Sequence, residues 1–200
     1  MSGSRVVHPI ETRSYQILRQ RVSTGHLAPL TRAVVERVVH ASADPAYADD
    51  LVCHEDALAA GLEALRENAP LVVDALMVSA GITSRESVCL VREPRVTELA
   101  EATGLTRSAA AFRRAVDQVG PGAVWVVGNA PTALFELIDL AAAVRPALVI
   151  GLPVGFVGAV ESKQALRDSG IACLTNRSEK GGTAVAAAAV NALLYHREDQ

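Results

Sequence analysis

The sequence is poor in aromatic residues and has no excess of positive charge, and these two shortages exclude a class of partner. Aromatic residues make up 4% of the 200 residues, and 22 acidic against 19 basic side chains give a formal net charge of -3. A chain without a basic excess neutralises phosphates poorly, and few rings are available for base stacking. We therefore expect no nucleic-acid partner.

Cysteine is also scarce. The three cysteines, Cys53, Cys89 and Cys173, are odd in number and far apart, which fits neither a disulfide framework nor a zinc site. No second histidine or cysteine stands at metal-ligand spacing from a first, so we expect no bound metal. A reducing cytoplasm is the expected compartment.

Long hydrophobic runs are absent as well. The nearly uncharged stretch PALVIGLPVGFVGAV is shorter than the roughly 20 apolar residues of a membrane span, and prolines and glycines interrupt it. The N-terminal stretch MSGSRVVHPIETRSY carries charge early and has no apolar segment of signal-peptide length. We expect neither a membrane partner nor secretion.

What the sequence does contain is enough apolar residues, half of the total, for one sizeable core, so we expect a single domain over residues 1–200. Helical periodicity dominates the first 70 residues, and short apolar β-rich runs alternate with helices afterwards. The predicted strands are LVVD (71–74), SVCLV (87–91), AVWVVG (123–128), ALVIG (147–151) and IACLT (171–175). The predicted helices cover 9–22, 29–42, 54–69, 107–119, 131–144, 159–168 and 181–196. This order predicts an α/β fold, a mostly parallel sheet flanked by helices with a helical N-terminal region.

In a parallel sheet the ligand normally lies beyond the carboxyl ends of the strands. The loop GNAPTA follows a predicted strand there, and Pro131 suits the first position of the next helix. Free N–H groups of that first turn would bind an anion. The alternative is a simple tight turn from strand to helix.

A second loop, GLPVGFVGA, also follows a predicted strand and precedes a helix. Its glycine spacing is GxxxGxxG, whereas a dinucleotide-binding loop has GxGxxG and a following acidic ribose anchor. A nucleotide-binding enzyme is therefore a weak alternative.

Arg107 follows Thr106, which suits the N-cap of a predicted helix. A cation in the first turn opposes the helix dipole unless an anionic ligand shares the site. Arg107 is thus either a carboxylate binder or a solvated surface arginine.

Ser14 interrupts the apolar stripe of the first predicted helix, between Ile10, Ile17 and Leu18. Such a serine usually bonds back to the preceding helical turn. The other possibility is that its hydroxyl faces a ligand beneath the helix.

His40 lies one turn from the end of a predicted helix, in VERVVHASAD. The apolar stripe of that helix runs through Leu30, Val34, Val38 and Ala41, and His40 lies off its centre. A core position is therefore disfavoured, which leaves a surface histidine or a functional one. Near a helix C-terminus an imidazole is well placed to give and take a proton.

These segments together resemble the precorrin-8X methylmutase family of cobalamin biosynthesis, which includes the cobalt-precorrin-8 methylmutases. The pair GNAPTALF and GLPVGFVGA followed by ESK is the most specific part, and the matches keep the family's order over nearly the whole chain. The matching segments are TRSYQILR, VERVVHASAD, APLVVDALMVSAGIT, TRSAAAF, GNAPTALFELI, GLPVGFVGAVESK and a GG-led last helix.

The resemblance implies a homodimeric isomerase that uses no added cofactor and binds its substrate near the subunit interface. The implied reaction moves a methyl group from C-11 to C-12 of precorrin-8X and gives hydrogenobyrinic acid. The cobalt-containing counterpart would start from cobalt-precorrin-8 and give the cobalt form, cobyrinic acid. The resemblance does not distinguish between these two substrates.

The resemblance also implies roles for particular residues. His40 matches the family's proton donor or acceptor, and Ser14 matches its substrate-binding serine. Thr83, Asn129 and Thr132 lie in matching motifs, as does Arg107, and we expect all four to contact substrate.

One segment departs from the family pattern. After GIT the chain runs SRESVCLV, where many relatives have a longer connection with proline and glycine. We expect the segment 84–87 to rim the pocket differently. A different class of function, a corrinoid-binding carrier without catalysis, is the alternative to the isomerase.

Overall fold

The computed structural model describes residues 8–196 and joins five short strands into one sheet. The strands are β1 (Leu51–Cys53), β2 (Leu71–Val73), β3 (Val124–Val127), β4 (Leu148–Gly151) and β5 (Cys173–Asn176). Their order across the sheet is β1-β5-β4-β3-β2. The four strands from β2 to β5 are parallel, and β1 runs antiparallel to β5 at the edge.

Eleven helices occur in the described residues. They are α1 (Pro9–Arg21), α2 (Pro29–Ser42), α3 (Tyr47–Asp50), α4 (Glu55–Arg66), α5 (Leu76–Gly81), α6 (Pro94–Thr103), α7 (Arg107–Val119), α8 (Pro131–Asp139), α9 (Ala141–Val144), α10 (Ala159–Asp168) and α11 (Thr183–Leu194). None of them is long and apolar enough to cross a lipid bilayer.

The two faces of the sheet bury two separate hydrophobic clusters. Successive side chains of a strand point to opposite faces, so Val124 and Val126 of β3 join one cluster while Trp125 joins the other. The first cluster includes side chains of α2, α4 and α11, and the second includes those of α7 and α8. Both faces of β3 are therefore buried, which agrees with the apolar side chains of all four of its residues.

The predicted α/β class with a mostly parallel, helix-flanked sheet is confirmed for the described residues. The parts of the single-domain prediction that fall on residues 1–7 and 197–200 lie outside them, as do the first seven residues of the segment considered as a signal peptide.

The strand predicted at 87–91 was wrong. Only Val88 of that segment pairs, in an isolated parallel bridge with Val72. The backbone N–H of Val88 donates to Leu71 O at 2.7 Å, and Val88 O accepts from the N–H of Val73 at 2.9 Å. The chain then turns at Leu90, whose carbonyl accepts from the N–H of Glu93 at 2.9 Å, so the pairing does not extend along the segment.

Other elements were missed by the pattern. The edge strand β1 has three residues, too few for a period-two signal, and its pairing with β5 decides its conformation. The helix α6 was detectable, because Pro94 opens it and Gly104 ends it in the left-handed region, with φ of 72°. The helix predicted over 131–144 is split at Leu140 into α8 and α9.

A buried carboxylate contributes to holding the first helix against α2. Leu18 is the one buried residue of α1, and Glu36 of α2 is 4% exposed. Glu36 accepts hydrogen bonds from Arg19 at 2.8 Å, from Thr24 at 2.6 Å and from Arg32 at 3.0 Å. Burial alone would raise the pKa of Glu36, but the hydrogen bonds from Arg19, Thr24 and Arg32 outweigh it and lower the pKa to about 2.

Replacing Glu36 with Gln should destabilise the protein by about 1–3 kcal/mol, because the amide cannot accept all three donors. The carboxylate has a lower pKa in the folded chain than its ordinary value of 4.5, so its stabilisation is present above about pH 4.5. It is lost as the pH falls towards 2. Denaturant unfolding at several pH values should therefore show the largest difference between wild type and Glu36→Gln near neutral pH.

A matched control is Glu63→Gln, since Glu63 is 62% exposed and lies 3.9 Å from Arg66. This variant should stay within about 0.5 kcal/mol of wild type at every pH. An equal loss of stability in both variants would contradict the role given to Glu36.

Candidate active site

Ser14 and His40 meet between α1 and α2. The Ser14 Oγ lies 2.9 Å from His40 Nδ1, and both residues are partly buried. When the serine hydroxyl donates, Nε2 carries the ring proton, and when Nδ1 donates, Nε2 presents a lone pair. In both states the contact fixes the ring orientation and leaves Nε2 for a ligand, so the pair is arranged for proton transfer.

Tyr15 also positions the imidazole, and sequence reasoning missed it. Its ring is stacked on that of His40, with centroids 4.8 Å apart and planes 8° from parallel. The guanidinium of Arg19 lies 5.9 Å from the centroid of the Tyr15 ring. No local spacing predicts this stack, because Tyr15 and His40 are on different helices.

The position of His40 agrees with its place off the apolar stripe. His40 lies in the last turn of α2, which ends at Ser42 and is followed by Ala43 in the left-handed region. The surroundings differ from the expectation, however, because α1 covers this side of α2 and buries the neighbouring Glu36.

A groove beside α1 contains Ser14. It has a volume of about 470 Å³ and is lined by Pro9, Ile10, Arg13, Ser14 and Ile17. The apolar stripe predicted for this helix is therefore partly exposed, with Ile10 at 73% and Ile17 at 37%. We call this feature the α1 groove.

A second cavity lies beyond the carboxyl ends of β2 and β3. Its volume is about 480 Å³, and three predicted site residues, Arg107, Asn129 and Thr132, line it. We call it the carboxyl-edge cavity. Among the described residues it shares no lining residue with the α1 groove.

The local structure around Arg107 follows the prediction. Thr106 is the N-cap of α7, and its Oγ1 accepts from the backbone N–H of Ala109 at 3.3 Å. The same Oγ1 lies 2.7 Å from Thr132 Oγ1 at the start of α8. This contact joins the N-termini of two helices at the wall of the carboxyl-edge cavity.

Arg92 is a second cation of this cavity, and sequence reasoning did not single it out. Both Arg92 and Arg107 are exposed, and neither forms an ion pair with a carboxylate within residues 8–196. Two arginines without carboxylate partners favour an anionic ligand.

The expected anion site at the GNAPTA loop is already filled by the chain itself. Pro131 opens α8 as predicted, but the buried carboxylate of Asp74 accepts from the N–H groups of Gly128 at 2.9 Å, Asn129 at 2.9 Å and Ala130 at 2.7 Å. Burial raises the pKa of Asp74, and the three backbone donors oppose that rise. These N–H groups are therefore not available to a ligand.

Thr83 lies apart from both cavities. Its Oγ1 is 2.6 Å from Tyr195 Oη, and its backbone N–H donates to Asn191 Oδ1 at 3.4 Å, near the end of α11. The segment 84–87 does not line the carboxyl-edge cavity either. Arg85 instead donates to the carbonyl of Leu65, in the last turn of α4, and to that of Ala69, which follows this helix.

The described residues contain no cluster of three or more histidine, cysteine or carboxylate side chains that could hold a metal ion. The three cysteines predicted to be unpaired are free thiols.

The fold and these residues define an α/β protein in which a serine contacts a histidine between two helices. At the carboxyl edge of the sheet it has two arginines that form no ion pair within residues 8–196. Comparison with known proteins is consistent with this class. A sequence model of the family described as Precorrin-8X methylmutase matches residues 9–196. The chain belongs to the precorrin-8X methylmutase family.

Individual relatives agree over most of their length. The cobalt-precorrin-8 methylmutase of Methanothermobacter thermautotrophicus is 44% identical, and the match covers 96% of this chain and 95% of the relative. The precorrin-8X methylmutase of Pseudomonas aeruginosa is 40% identical, with 94% and 95% covered. A crystal structure of a precorrin-8x methyl mutase from Thermus thermophilus superposes with a TM-score of 0.84 at 37% identity, covering 92% of this chain and 93% of that one.

Proposed function

We propose that this protein is an isomerase of cobalamin biosynthesis that moves a methyl group from C-11 to C-12 of precorrin-8X or cobalt-precorrin-8. The product is hydrogenobyrinic acid or its cobalt counterpart, cobyrinic acid. The observation that carries the proposal is the hydrogen bond between Ser14 and His40, in a chain whose residues 9–196 match the family. Relatives bearing both substrate names match at 40% identity or more, and assaying the two substrates side by side distinguishes them.

The proposed chemistry is proton transfer by His40. Ser14 and Tyr15 hold the imidazole, and Nε2 gives a proton to the conjugated ring and later takes it back. The protonated tautomer is the one that rearranges, and the methyl group moves within the same molecule. Because the shift is intramolecular, the protein supplies positioning and protonation and no added cofactor is invoked.

The carboxylate side chains of the substrate are proposed to bind at the carboxyl-edge cavity. Arg107 and Arg92 supply the positive charge there, while Asn129 and Thr132 supply polar groups of the side chains. Thr83 is proposed as a contact only where the substrate extends towards Tyr195, since it lines neither cavity. The proposed compartment is the cytoplasm, where the three free thiols stay reduced.

A homodimer is the proposed functional unit, with the substrate near the subunit interface. Large apolar side chains are exposed at both cavities and on the neighbouring loop, with Ile10 at 73%, Met77 at 71% and Phe156 at 95%. A second copy would cover them and add a wall around a macrocycle larger than either cavity. Light scattering on the eluted protein should give the dimer mass at micromolar concentration, and a monomer would contradict an interface site.

Visible absorption spectroscopy distinguishes the isomerase hypothesis from the carrier hypothesis. When purified protein is mixed with precorrin-8X, the spectrum should change to that of the rearranged product over many turnovers. Stoichiometric binding without rearrangement would instead support a corrinoid carrier. Failure of the protein to bind any corrinoid would instead support the alternative of a nucleotide-binding enzyme.

Replacing His40 with alanine should lower kcat by about 10²–10⁴, because general acid–base catalysis is lost while α2 keeps its helix. Ser14→Ala should lower kcat by about tenfold, since the ring keeps its stack on Tyr15 but loses its hydrogen bond. His26, exposed and outside both cavities, gives the matched control His26→Ala with wild-type turnover. Undiminished turnover by folded His40→Ala would refute the catalytic assignment.

Arg107→Met and Arg92→Met should each raise KM by about tenfold with little change in kcat. The reason is that a carboxylate far from the reacting carbons is bound equally in the ground and transition states. Arg95→Met is the matched control, because Arg95 is exposed and lines neither cavity. Steady-state kinetics at fixed ionic strength provide the measurement, and an unchanged KM in the double variant would exclude the proposed anchoring.

A further inference from the structure

Asp74 is a fully buried acid at the point where β2 ends, and the proposed chemistry does not use it. The residue is 0% exposed, yet its carboxylate reaches across to the turn after β3. Oδ1 accepts from Gly128, and Oδ2 accepts from Asn129 and Ala130. Three successive backbone donors thus converge on one carboxylate.

Such a turn, followed by a helix N-terminus, is a site that favours an anion. Here the anion belongs to the chain, and it satisfies three N–H groups, of which that of Gly128 would otherwise be buried without a partner. The turn also needs Gly128, because a Cβ there would lie 2.8 Å from Val78 Cγ2 and 2.9 Å from Ala186 Cβ. The position of the turn is therefore fixed both by sterics and by the Asp74 carboxylate.

Asp74 is connected to both helices that meet at the carboxyl-edge cavity. Its side chain holds the residues just before α8, and its carbonyl oxygen accepts from Ser108 Oγ in the first turn of α7 at 3.4 Å. The contact between the hydroxyls of Thr106 and Thr132 joins the same two helix N-termini at the surface. A shift of Asp74 would consequently move the start of α7 relative to the start of α8.

We propose that Asp74 is a positioning residue, whose carboxylate aligns the N-termini of α7 and α8 so that Arg107, Asn129 and Thr132 face a carboxylated ligand together. The nature of the ligand rests on the proposed function. The alignment itself depends only on the contacts of Asp74.

Chemical rescue tests this role. Asp74→Ala removes the carboxylate and leaves three N–H donors around a space of the size of formate. We expect the KM for precorrin-8X to rise by about tenfold or more with a smaller change in kcat, since the anchors are misplaced rather than removed. Formate at tens of millimolar should restore at least half of kcat/KM, whereas chloride at equal ionic strength should not.

Two further measurements, of Tm and of backbone amide signals, do not depend on catalytic turnover. Formate should raise the Tm of Asp74→Ala and shift the backbone amide NMR signals of Gly128, Asn129 and Ala130, with no such effect on wild type. Asp117→Ala is the matched control, because Asp117 is an exposed acid of α7 without a hydrogen-bond partner among the described residues. It should keep the wild-type KM and show no response to formate.

Asp74→Asn keeps the shape but places an amide N–H₂ against backbone donors, so it should raise KM and resist rescue because the space stays filled. A folded Asp74→Asn with wild-type KM, or a folded Asp74→Ala that formate does not restore, would overturn the proposal. If Asp74→Ala does not fold, the KM of Asp74→Asn decides whether Asp74 is a positioning residue. If wild type fails to convert precorrin-8X, the proposed function fails, and the formate-dependent Tm and amide shifts of Asp74→Ala still decide the positioning role.

Discussion

Glu36 keeps a buried negative charge at the contact between α1 and α2. Arg19 of α1 and Thr24, which follows that helix, both donate to this carboxylate, so these bonds add to the apolar packing of Leu18 in docking α1. Docking brings Ser14 to the ring of His40 and Tyr15 over its face. The contact between Ser14 and His40 is therefore a product of tertiary packing, and an ion pair between the half-exposed Arg19 and the buried Glu36 joins the same two helices.

The site residues are divided between two places in one chain. Ser14, the hydrogen-bond partner of His40, lines the apolar α1 groove, and the proposed chemistry there is protonation of a conjugated ring. The carboxyl-edge cavity offers Arg92 and Arg107 and suits the acid side chains of the same ligand. In the proposed function a large, flat and polyanionic macrocycle would use both environments, because a cavity of about 480 Å³ is small for such a ligand.

Local signals predicted the helix ends at this site correctly. Thr106 caps α7 and Pro131 opens α8, because caps and first-turn prolines act through residues within one turn. The same reasoning was wrong about the free N–H groups before α8. Their acceptor, Asp74, lies 54 residues from Gly128, and no spacing rule connects the two. Arg92 and Tyr15 were missed for a similar reason, since their neighbours come from other elements.

The sequence alone determined the four parallel strands β2 to β5, both ends of α2, α7 and α10, and the family motifs, because buried β-branched runs, prolines and capping residues act locally. Helical periodicity in the sequence also placed His40 outside the apolar stripe of α2. Only the tertiary structure decided that Ser14, 26 residues away, bonds to His40, and that Asp74 takes the N–H groups of the GNAP turn. These contacts join groups whose separation is set by how the helices pack on the sheet, and packing depends on the whole chain.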